Sequence, residues 1–384
     1  MRRSGWASPV LRRTRPGQQM EAVPAGGRQR VAGSRRRVVT RGPVGVVAAA
    51  LAVLLALAAC SSGGSPHPTP SAASPSAAAR PGAAATTAPA SAQSGLGWAS
   101  GANGNFPADV NAWATWTGRP VDVAVVFTNR VDWPNITTAS WPVGAFTRAA
   151  FPGQLSVAQP LFPQDGNEAA CARGEYDSHW SQFGQTLTKY GRGDAYVRLG
   201  WEFNGSWFWW YVRDPQAWKT CFQRAVTAIR STAPKVRIEW TMTAHQDTLP
   251  HSKIDVWAAY PGDDYVDVVS VDAYDFYPAS TDQTSWDRQC HQRSGLCTVA
   301  DFARAHGKAL AVPEWGVAHS NSGGGDNPFL VEKMHEFFTQ TADILAYEAY
   351  YNNSEADNVR SSLNNPDLNP RSARRYLDLF GRSG

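Results

Sequence analysis

The feature that most constrains the fold of this chain is the alternation of short β-rich runs with helical stretches across residues 95–384. The β-rich runs predict eight strands, at 95–99, 121–127, 155–161, 195–201, 236–242, 266–272, 309–314 and 344–350. Helical patterns lie between them at about 175–190, 215–232, 298–307, 328–341 and 371–380. Strands that alternate with helices favour parallel βαβ units, and eight such units predict an α/β fold closed as a (β/α)8 TIM barrel.

A barrel of this kind builds its active site from the C-terminal ends of its strands. Polar or aromatic residues at those ends are therefore candidates for function. Glu202 follows the fourth predicted strand, Asp272 and Tyr274 end the sixth, Glu314 ends the seventh and Tyr350 ends the eighth. We expect these side chains to converge on one mouth of the barrel.

The segment RLGWEFNGSWFWW, residues 198–210, is the most informative stretch of the chain. Glu202 follows a strand there and precedes three Trp and two Phe, so we expect its carboxyl to lie in an aromatic wall. Desolvation in such a wall raises the pKa of a carboxyl, as a general acid requires. The alternative is an ordinary surface Glu at the end of a strand.

A second lone carboxylate, Glu314, ends the apolar run in ALAVPEWGV, residues 309–317, and is followed by Trp315. A charge at the end of so apolar a strand needs a partner or a function. Arg198 is a candidate partner that would hold Glu314 ionised. The alternative for this pair is a purely structural salt bridge.

Glutamates after strands 4 and 7 of a barrel resemble the large clan of retaining glycosidases, and GSWFWW after the first of them is similar to glycoside hydrolase family 26. The resemblance implies that Glu202 is the acid/base and Glu314 the nucleophile of a two-step hydrolysis of a β-linked polysaccharide. It also implies that Tyr274 hydrogen-bonds the nucleophile with support from Asp272, and that Trp207 stacks on the substrate.

One residue departs from the family pattern. Mannanases of family 26 usually carry His immediately before the acid/base, whereas this chain has Trp201. The expected substrate is β-1,4-mannan or a related β-glycan cut in endo fashion, with β-glucan, β-1,3-xylan or an envelope polysaccharide left open. A sugar-binding lipoprotein without catalysis is the alternative outside the enzymes. The residues predicted to bind substrate are Arg198, Trp201, Trp207, Asp272, Tyr274, Trp315 and Tyr350.

Charge and composition exclude several other functions. Residues 1–59 hold eleven Arg and one acid, Glu21, so the rest of the chain carries a net charge of −6 although the whole carries +4. Without a basic patch we expect no nucleic-acid partner. We also expect no cofactor and no metal. Sixteen Trp, twelve Tyr and fifteen Phe are unusually many for a chain with 18% charged residues. We expect most of these rings to pack in the core, and aromatic rings also stack well on sugars.

The first hundred residues have the composition of a targeting segment and a spacer. Residues 1–59 combine an Arg-rich stretch with the apolar run VGVVAAALAVLLALAA and predict a signal peptide. The run ends at Cys60 in a pattern that resembles a bacterial lipobox, so we expect lipidation of Cys60; an ordinary secretory signal is the alternative. Residues 60–94 are rich in Ser, Pro and Ala and predict a flexible linker. We expect an exported, membrane-anchored monomer whose catalytic domain spans 95–384.

Four further cysteines in an exported domain predict two disulfides. Cys290 and Cys297 bracket a short polar loop, so we pair them with each other and pair Cys171 with Cys221. A zinc site is the alternative, but the chain contains no CxxC motif.

Overall fold

The computed structural model describes residues 93–138, 141–319 and 322–382. The predicted signal peptide, Cys60 and nearly all of the predicted linker lie outside these ranges. Within them, no helix combines the length and apolar character that a membrane span requires.

Eight parallel strands form the centre of the molecule. They are β1 (Ser100–Asn103), β2 (Val123–Phe127), β3 (Gln154–Gln159), β4 (Tyr196–Leu199), β5 (Arg237–Thr243), β6 (Val268–Tyr274), β7 (Ala309–Gly316) and β8 (Leu345–Tyr350). Each strand pairs with the next in sequence, and β1 pairs with β8 to close the barrel. The predicted (β/α)8 fold is confirmed.

Helices cover the outside of the barrel. In the described residues they are α1 (Pro107–Thr117), α2 (Trp133–Thr138), α3 (Glu168–Ala172), α4 (Asp177–Lys189), α5 (Pro215–Thr232), α6 (Gln283–Cys290), α7 (Leu296–Ala305), α8 (Pro328–Thr341) and α9 (Pro370–Phe380). Two short 3-10 helices, Val256–Ala259 and Asp263–Tyr265, lie between β5 and β6.

The strands are buried on both faces, as expected of parallel strands in this architecture. In β2, Val123 and Val125 belong to a small apolar cluster inside the barrel with Tyr347, while Ala124 and Val126 belong to the large cluster between strands and helices. The alternation of side chains along a strand thus supplies two cores from one run of apolar residues.

The predicted bounds of two helices agree with the structure because their starts are encoded locally. Asp214 caps α5 by accepting hydrogen bonds from the backbone N–H groups of Gln216 and Ala217, and Pro215 occupies the first turn. Asn327 and Pro328 begin α8 in the same way. The predicted spans 215–232 and 328–341 are therefore confirmed.

The predicted position of the first strand, 95–99, is wrong, since β1 begins at Ser100. The sequence SGAN has little β propensity, and its pairing depends on close approach of the neighbouring backbone. A Cβ on Gly101 would lie 2.6 Å from the carbonyl oxygen of Val123. Trp98, within the predicted run, packs instead in the outer layer against Phe338 and Phe380.

Both predicted disulfides are present. Cys171–Cys221 joins α3 to α5, and Cys290–Cys297 joins the end of α6 to the start of α7. Among the described residues, no group of His, Cys, Asp and Glu side chains has the arrangement of a metal site.

Candidate active site

The two candidate glutamates lie at the same mouth of the barrel. Glu202 follows β4, and Glu314 lies near the end of β7, so both stand at C-terminal strand ends. Each is only 4% exposed. Their charges interact strongly enough that Glu314 contributes to the pKa of Glu202. The structure therefore brings together the pair that the sequence predicts.

The backbone at Glu202 has an unusual conformation. Its φ of 53° lies in the left-handed region, which non-glycine residues rarely adopt. The backbone N–H of Glu202 donates to the carbonyl oxygen of Thr241 on β5 at 2.9 Å, which holds the turn in place. Such strained positions persist where the surrounding structure fixes them, often at functional sites.

The carboxyl of Glu202 meets an aromatic wall, as predicted. The indole Nε1 of Trp207 donates a hydrogen bond of 2.8 Å to Glu202 Oε2. Burial, followed by the negative charge of Glu314, raises the pKa of Glu202 to about 8, although the Trp207 hydrogen bond acts in the opposite direction. Glu202 therefore holds a proton at neutral pH and can donate it.

Glu314 is held through both carboxylate oxygens. Arg198 Nη1 lies 2.8 Å from Oε1, and the hydroxyl of Tyr274 donates to Oε2 at 2.8 Å. A cation on one oxygen and a phenol on the other fix the orientation of the carboxylate and compensate its charge. This environment differs from that of Glu202, whose oxygen accepts from a neutral indole.

Arg198 is the centre of a buried charge network. It is fully buried and lies 2.6 Å from Asp272 and 3.9 Å from Glu239, in addition to its contact with Glu314. Burial alone lowers the pKa of Arg198, but the carboxylates of Asp272, Glu314 and Glu239 outweigh it and raise that pKa above its ordinary value. One permanent cation thus compensates several acids beneath the mouth.

Glu239 is a member of this network that the sequence reasoning missed. It lies on β5 and accepts a hydrogen bond of 2.8 Å from the hydroxyl of Tyr347, which itself contacts Ser156 Oγ at 2.7 Å. Burial raises the pKa of Glu239, while Arg198 opposes that effect. The signal was available, because Glu239 is a lone carboxylate in the apolar run VRIEWTM.

The prediction that seven residues contact substrate needs correction for four of them. Arg198, Asp272, Trp315 and Tyr350 have no exposed surface. Trp315 points away from the mouth and donates to Glu348 Oε2 at 2.6 Å, and the hydroxyl of Tyr350 donates to the carbonyl oxygen of Ser361 at 2.7 Å. These four residues support the site from behind instead of lining it.

The two tryptophans near Glu202 have different environments. Trp201 is nearly buried, with its ring 4.9 Å from Phe208 and 4.6 Å from Trp210. Trp207 is 42% exposed. Of the two, Trp207 presents an open ring surface at the mouth.

A cavity of about 460 Å³ opens beside Trp207, between the loops that follow β4 and β5, with Asn204 and Lys253 among its lining residues. The disulfide loop closed by Cys290 and Cys297 contacts and stabilises the β5 loop at this cavity. Ser294, within that disulfide loop, donates to Asp247 Oδ1 through its N–H at 2.9 Å and its hydroxyl at 2.8 Å. The N–H of Gln246 donates in turn to Ser294 Oγ at 3.1 Å.

Sequence comparison finds similarity between this site and a known family. Residues 195–314, which include both glutamates, match the model of glycosyl hydrolase family 26. A mannan endo-1,4-β-mannosidase of Bifidobacterium adolescentis is 29% identical over 151 residues, 38% of this chain and 14% of that protein. Endoglucanase H of Acetivibrio thermocellus is 24% identical over 247 residues, 62% of this chain and 26% of that protein. The chain therefore matches about a quarter or less of the length of these relatives.

Structural comparison agrees on the fold. The catalytic domain of the GH26 endo-β-1,4-mannanase from Bacillus sp. JAMB-750 superposes with a TM-score of 0.54 at 15% identity. The match covers 76% of this chain and 88% of that one. At this identity the similarity establishes a common barrel architecture.

Proposed function

We propose that this chain is a retaining, endo-acting glycosidase of glycosyl hydrolase family 26 that cleaves β-1,4-mannan or a related β-glycan. The observation that carries the proposal is the contrast between two buried carboxyls at one mouth. Burial and Glu314 raise the pKa of Glu202 to about 8. Glu314 instead contacts a cation and a phenol. A protonated acid beside a compensated carboxylate is the pair of groups that glycoside hydrolysis requires, and the similarity to family 26 favours retention.

The proposed reaction has two steps. Glu314 attacks the anomeric carbon while Glu202 gives its proton to the departing glycosidic oxygen, which forms a covalent glycosyl-enzyme. Glu202, now a carboxylate, removes a proton from water, and the water oxygen displaces Glu314 from the anomeric carbon. Each displacement inverts the carbon, so the product keeps the configuration of the substrate.

Neighbouring side chains support these roles. Arg198 and Tyr274 aim the carboxylate of Glu314 and bear its charge between turnovers. Trp207 orients the carboxyl of Glu202 through its indole N–H and leaves a ring face open for a sugar. Asp272 lies 2.6 Å from Arg198 and helps to fix its guanidinium group.

β-Mannan is the first candidate substrate because one curated relative is named a mannan endo-1,4-β-mannosidase. A β-glucan is the second, because another relative is named an endoglucanase and because Trp201 occupies the position where mannanases of the family usually carry His. A binding protein without catalysis is disfavoured by the presence of both glutamates in these contrasting environments.

The test is release of reducing ends by the protein from β-mannan, mixed-linkage β-glucan and β-1,3-xylan, beside Glu202→Ala and Glu314→Ala. We expect one polymer to be cleaved and both variants to lose that activity. Exposed Glu175, paired with Arg173 on the barrel surface, provides the control Glu175→Gln, which should act as wild type. The anomer formed first, observed by NMR, should match the substrate. An inverted first product, or full activity in Glu314→Ala, would contradict the mechanism.

The location of the enzyme is part of the proposal. Residues 1–59 act as a signal peptide, Cys60 carries a lipid, residues 60–94 form a spacer, and the catalytic domain works as a monomer outside the cell. The Arg-rich and apolar N-terminal composition supports this arrangement. Cys60→Ser should move the protein from the membrane fraction into the medium. An unchanged membrane fraction would refute the lipid anchor.

A further inference from the structure

Exposed apolar side chains in the described residues concentrate at the mouth of the barrel. Six large ones are well exposed, and five of them follow the C-terminal end of a strand, while the sixth, Trp141, contacts one of those five. The six are Phe106, Val131, Trp141, Trp207, Ile254 and Tyr277. Exposed apolar groups that gather on one face indicate a binding surface.

Phe106 and Trp141 form an aromatic pair at the end of β1. Their ring centroids are 6.3 Å apart with planes tilted by 53°. Phe106 is 52% exposed and Trp141 is 37% exposed, so both rings keep open surface. Neither ring contributes to the reaction described above.

The backbone at Phe106 is fixed by hydrogen bonds. The carboxylate of Asp109 accepts from the backbone N–H groups of Asn105 and Phe106, each at 2.9 Å. Behind Trp141, the fully buried Val143 anchors the turn in the core. A binding site gains from such anchoring because little conformational entropy remains to be lost when a ligand arrives.

The pair lies on a defined side of the catalytic residues. In the closed barrel, Glu202 after β4 and Glu314 on β7 divide the mouth into two halves. The cavity beside Trp207 occupies the half that contains β5 and β6. Phe106 and Trp141 occupy the half that contains β8, β1 and β2.

The strand ends between Glu314 and the aromatic pair carry neutral polar groups. Asn352 follows β8 and Asn103 ends β1, and the N–H of Asn352 donates to Asn103 Oδ1 at 2.8 Å. Neutral groups at these strand ends suit a neutral sugar chain, because aromatic rings cover the apolar C–H faces of sugars.

We propose that Phe106 and Trp141 form a distal subsite that stacks on the glycone portion of a neutral β-linked polysaccharide; this inference rests on the proposed function. Glu202 protonates the leaving oxygen and accepts a hydrogen bond from Trp207. The leaving portion of the polysaccharide therefore lies over Trp207 and its cavity. The remaining, glycone portion then runs across the other half of the mouth toward β1. The enzyme thus binds the polysaccharide on both sides of the cleaved bond.

The test compares Phe106→Ala, Trp141→Ala and the double variant with wild type on a long soluble β-mannan or β-glucan and on a short aryl glycoside. We expect the double variant to lose on the order of tenfold in kcat/KM on the polymer and little on the aryl glycoside, because burial of aromatic surface contributes only with the long chain. Phe106→Tyr should retain polymer activity. Tyr190→Ala, at a partly exposed aromatic before β4, is the control.

Binding is measured separately by affinity electrophoresis with the same polymer in Glu202→Gln, with and without the aromatic pair. Retardation that disappears with the pair supports the subsite even if no polymer tried is cleaved. If wild type cleaves the polymer and the double variant cleaves and binds it equally well, the subsite is overturned while the proposed function stands. Cosedimentation with phospholipid vesicles that requires the pair, without any effect on polymer, would overturn the sugar assignment in favour of a lipid surface.

Discussion

Replacing Glu202 by Gln should change how stability depends on pH, in a direction set by the surroundings of the carboxyl. Burial and the charge of Glu314 raise the pKa of Glu202 from 4.5 to about 8. A carboxyl with a raised pKa in the folded state favours folding while it is protonated. That contribution is complete below about pH 4.5 and is lost as the pH rises through about 8. Gln cannot ionise, so the variant escapes the loss.

The expected magnitude follows from the pKa values. A difference of about 3.5 between folded and unfolded states corresponds to on the order of 5 kcal/mol in unfolding free energy. The unfolding free energy of Glu202→Gln minus that of wild type should therefore be larger at about pH 9 than at about pH 4, by an amount of this order.

The assay is urea unfolding followed by Trp fluorescence, for wild type and variant, at several values from about pH 4 to pH 9 and constant ionic strength. Glu175→Gln, which removes an exposed carboxyl, is the matched control and should run parallel to wild type. A stability difference between Glu202→Gln and wild type that stays constant with pH, or grows toward acid, would refute the account of Glu202 as a buried, protonated acid.

Three further predictions concern the neighbours of the two glutamates. Trp207→Phe removes a hydrogen bond that lowers the pKa of Glu202, so the basic limb of kcat/KM against pH should move to higher pH; movement to lower pH would contradict this. Arg198→Met leaves buried carboxylates without their cation and should lower the unfolding free energy by about 3–5 kcal/mol and reduce kcat, and wild-type stability in urea would count against the network. Burial raises the pKa of Glu348 to about 7, so wild type should lose stability as the pH rises from about 4.5 to 7. In thermal melts, Glu348→Gln should lack that loss. A variant whose melting temperature depends on pH as wild type does would contradict this prediction.

The barrel could be predicted from sequence because local sequence signals mark most of its strands and helices. Two helix starts are encoded by a capping residue followed by Pro, at Asp214–Pro215 and at Asn327–Pro328. These local signals agree with the final structure. The first strand could not be placed, because SGAN becomes a strand only through its neighbours in the closed barrel. Local pattern and tertiary pairing thus determine different parts of the same sheet.

The candidate site was predictable in its centre and less so around it. The carboxylates of Glu202 and Glu314 stand out at the ends of apolar strands. Strand alternation explains why Trp315 and Tyr350 lie behind the site and not in it. Because Glu314 faces the mouth, its neighbour Trp315 must face the helices, where it contacts Tyr350. The pairing of Arg198 with Glu239 required the relative register of β4 and β5, which no single segment encodes.

The disulfide loop closed by Cys290 and Cys297 has a consequence for where this protein can work. Ser294 within that disulfide loop is bonded to Asp247 and Gln246 of the β5 loop, whereas Glu202 and Glu314 depend on barrel strands and on Arg198. Reduction would therefore release the wall of the leaving-group cavity and leave the reaction centre in place. An oxidising milieu therefore stabilises the wall of this cavity, whereas a reducing one would loosen that wall without disturbing the contacts among Arg198 and the two glutamates.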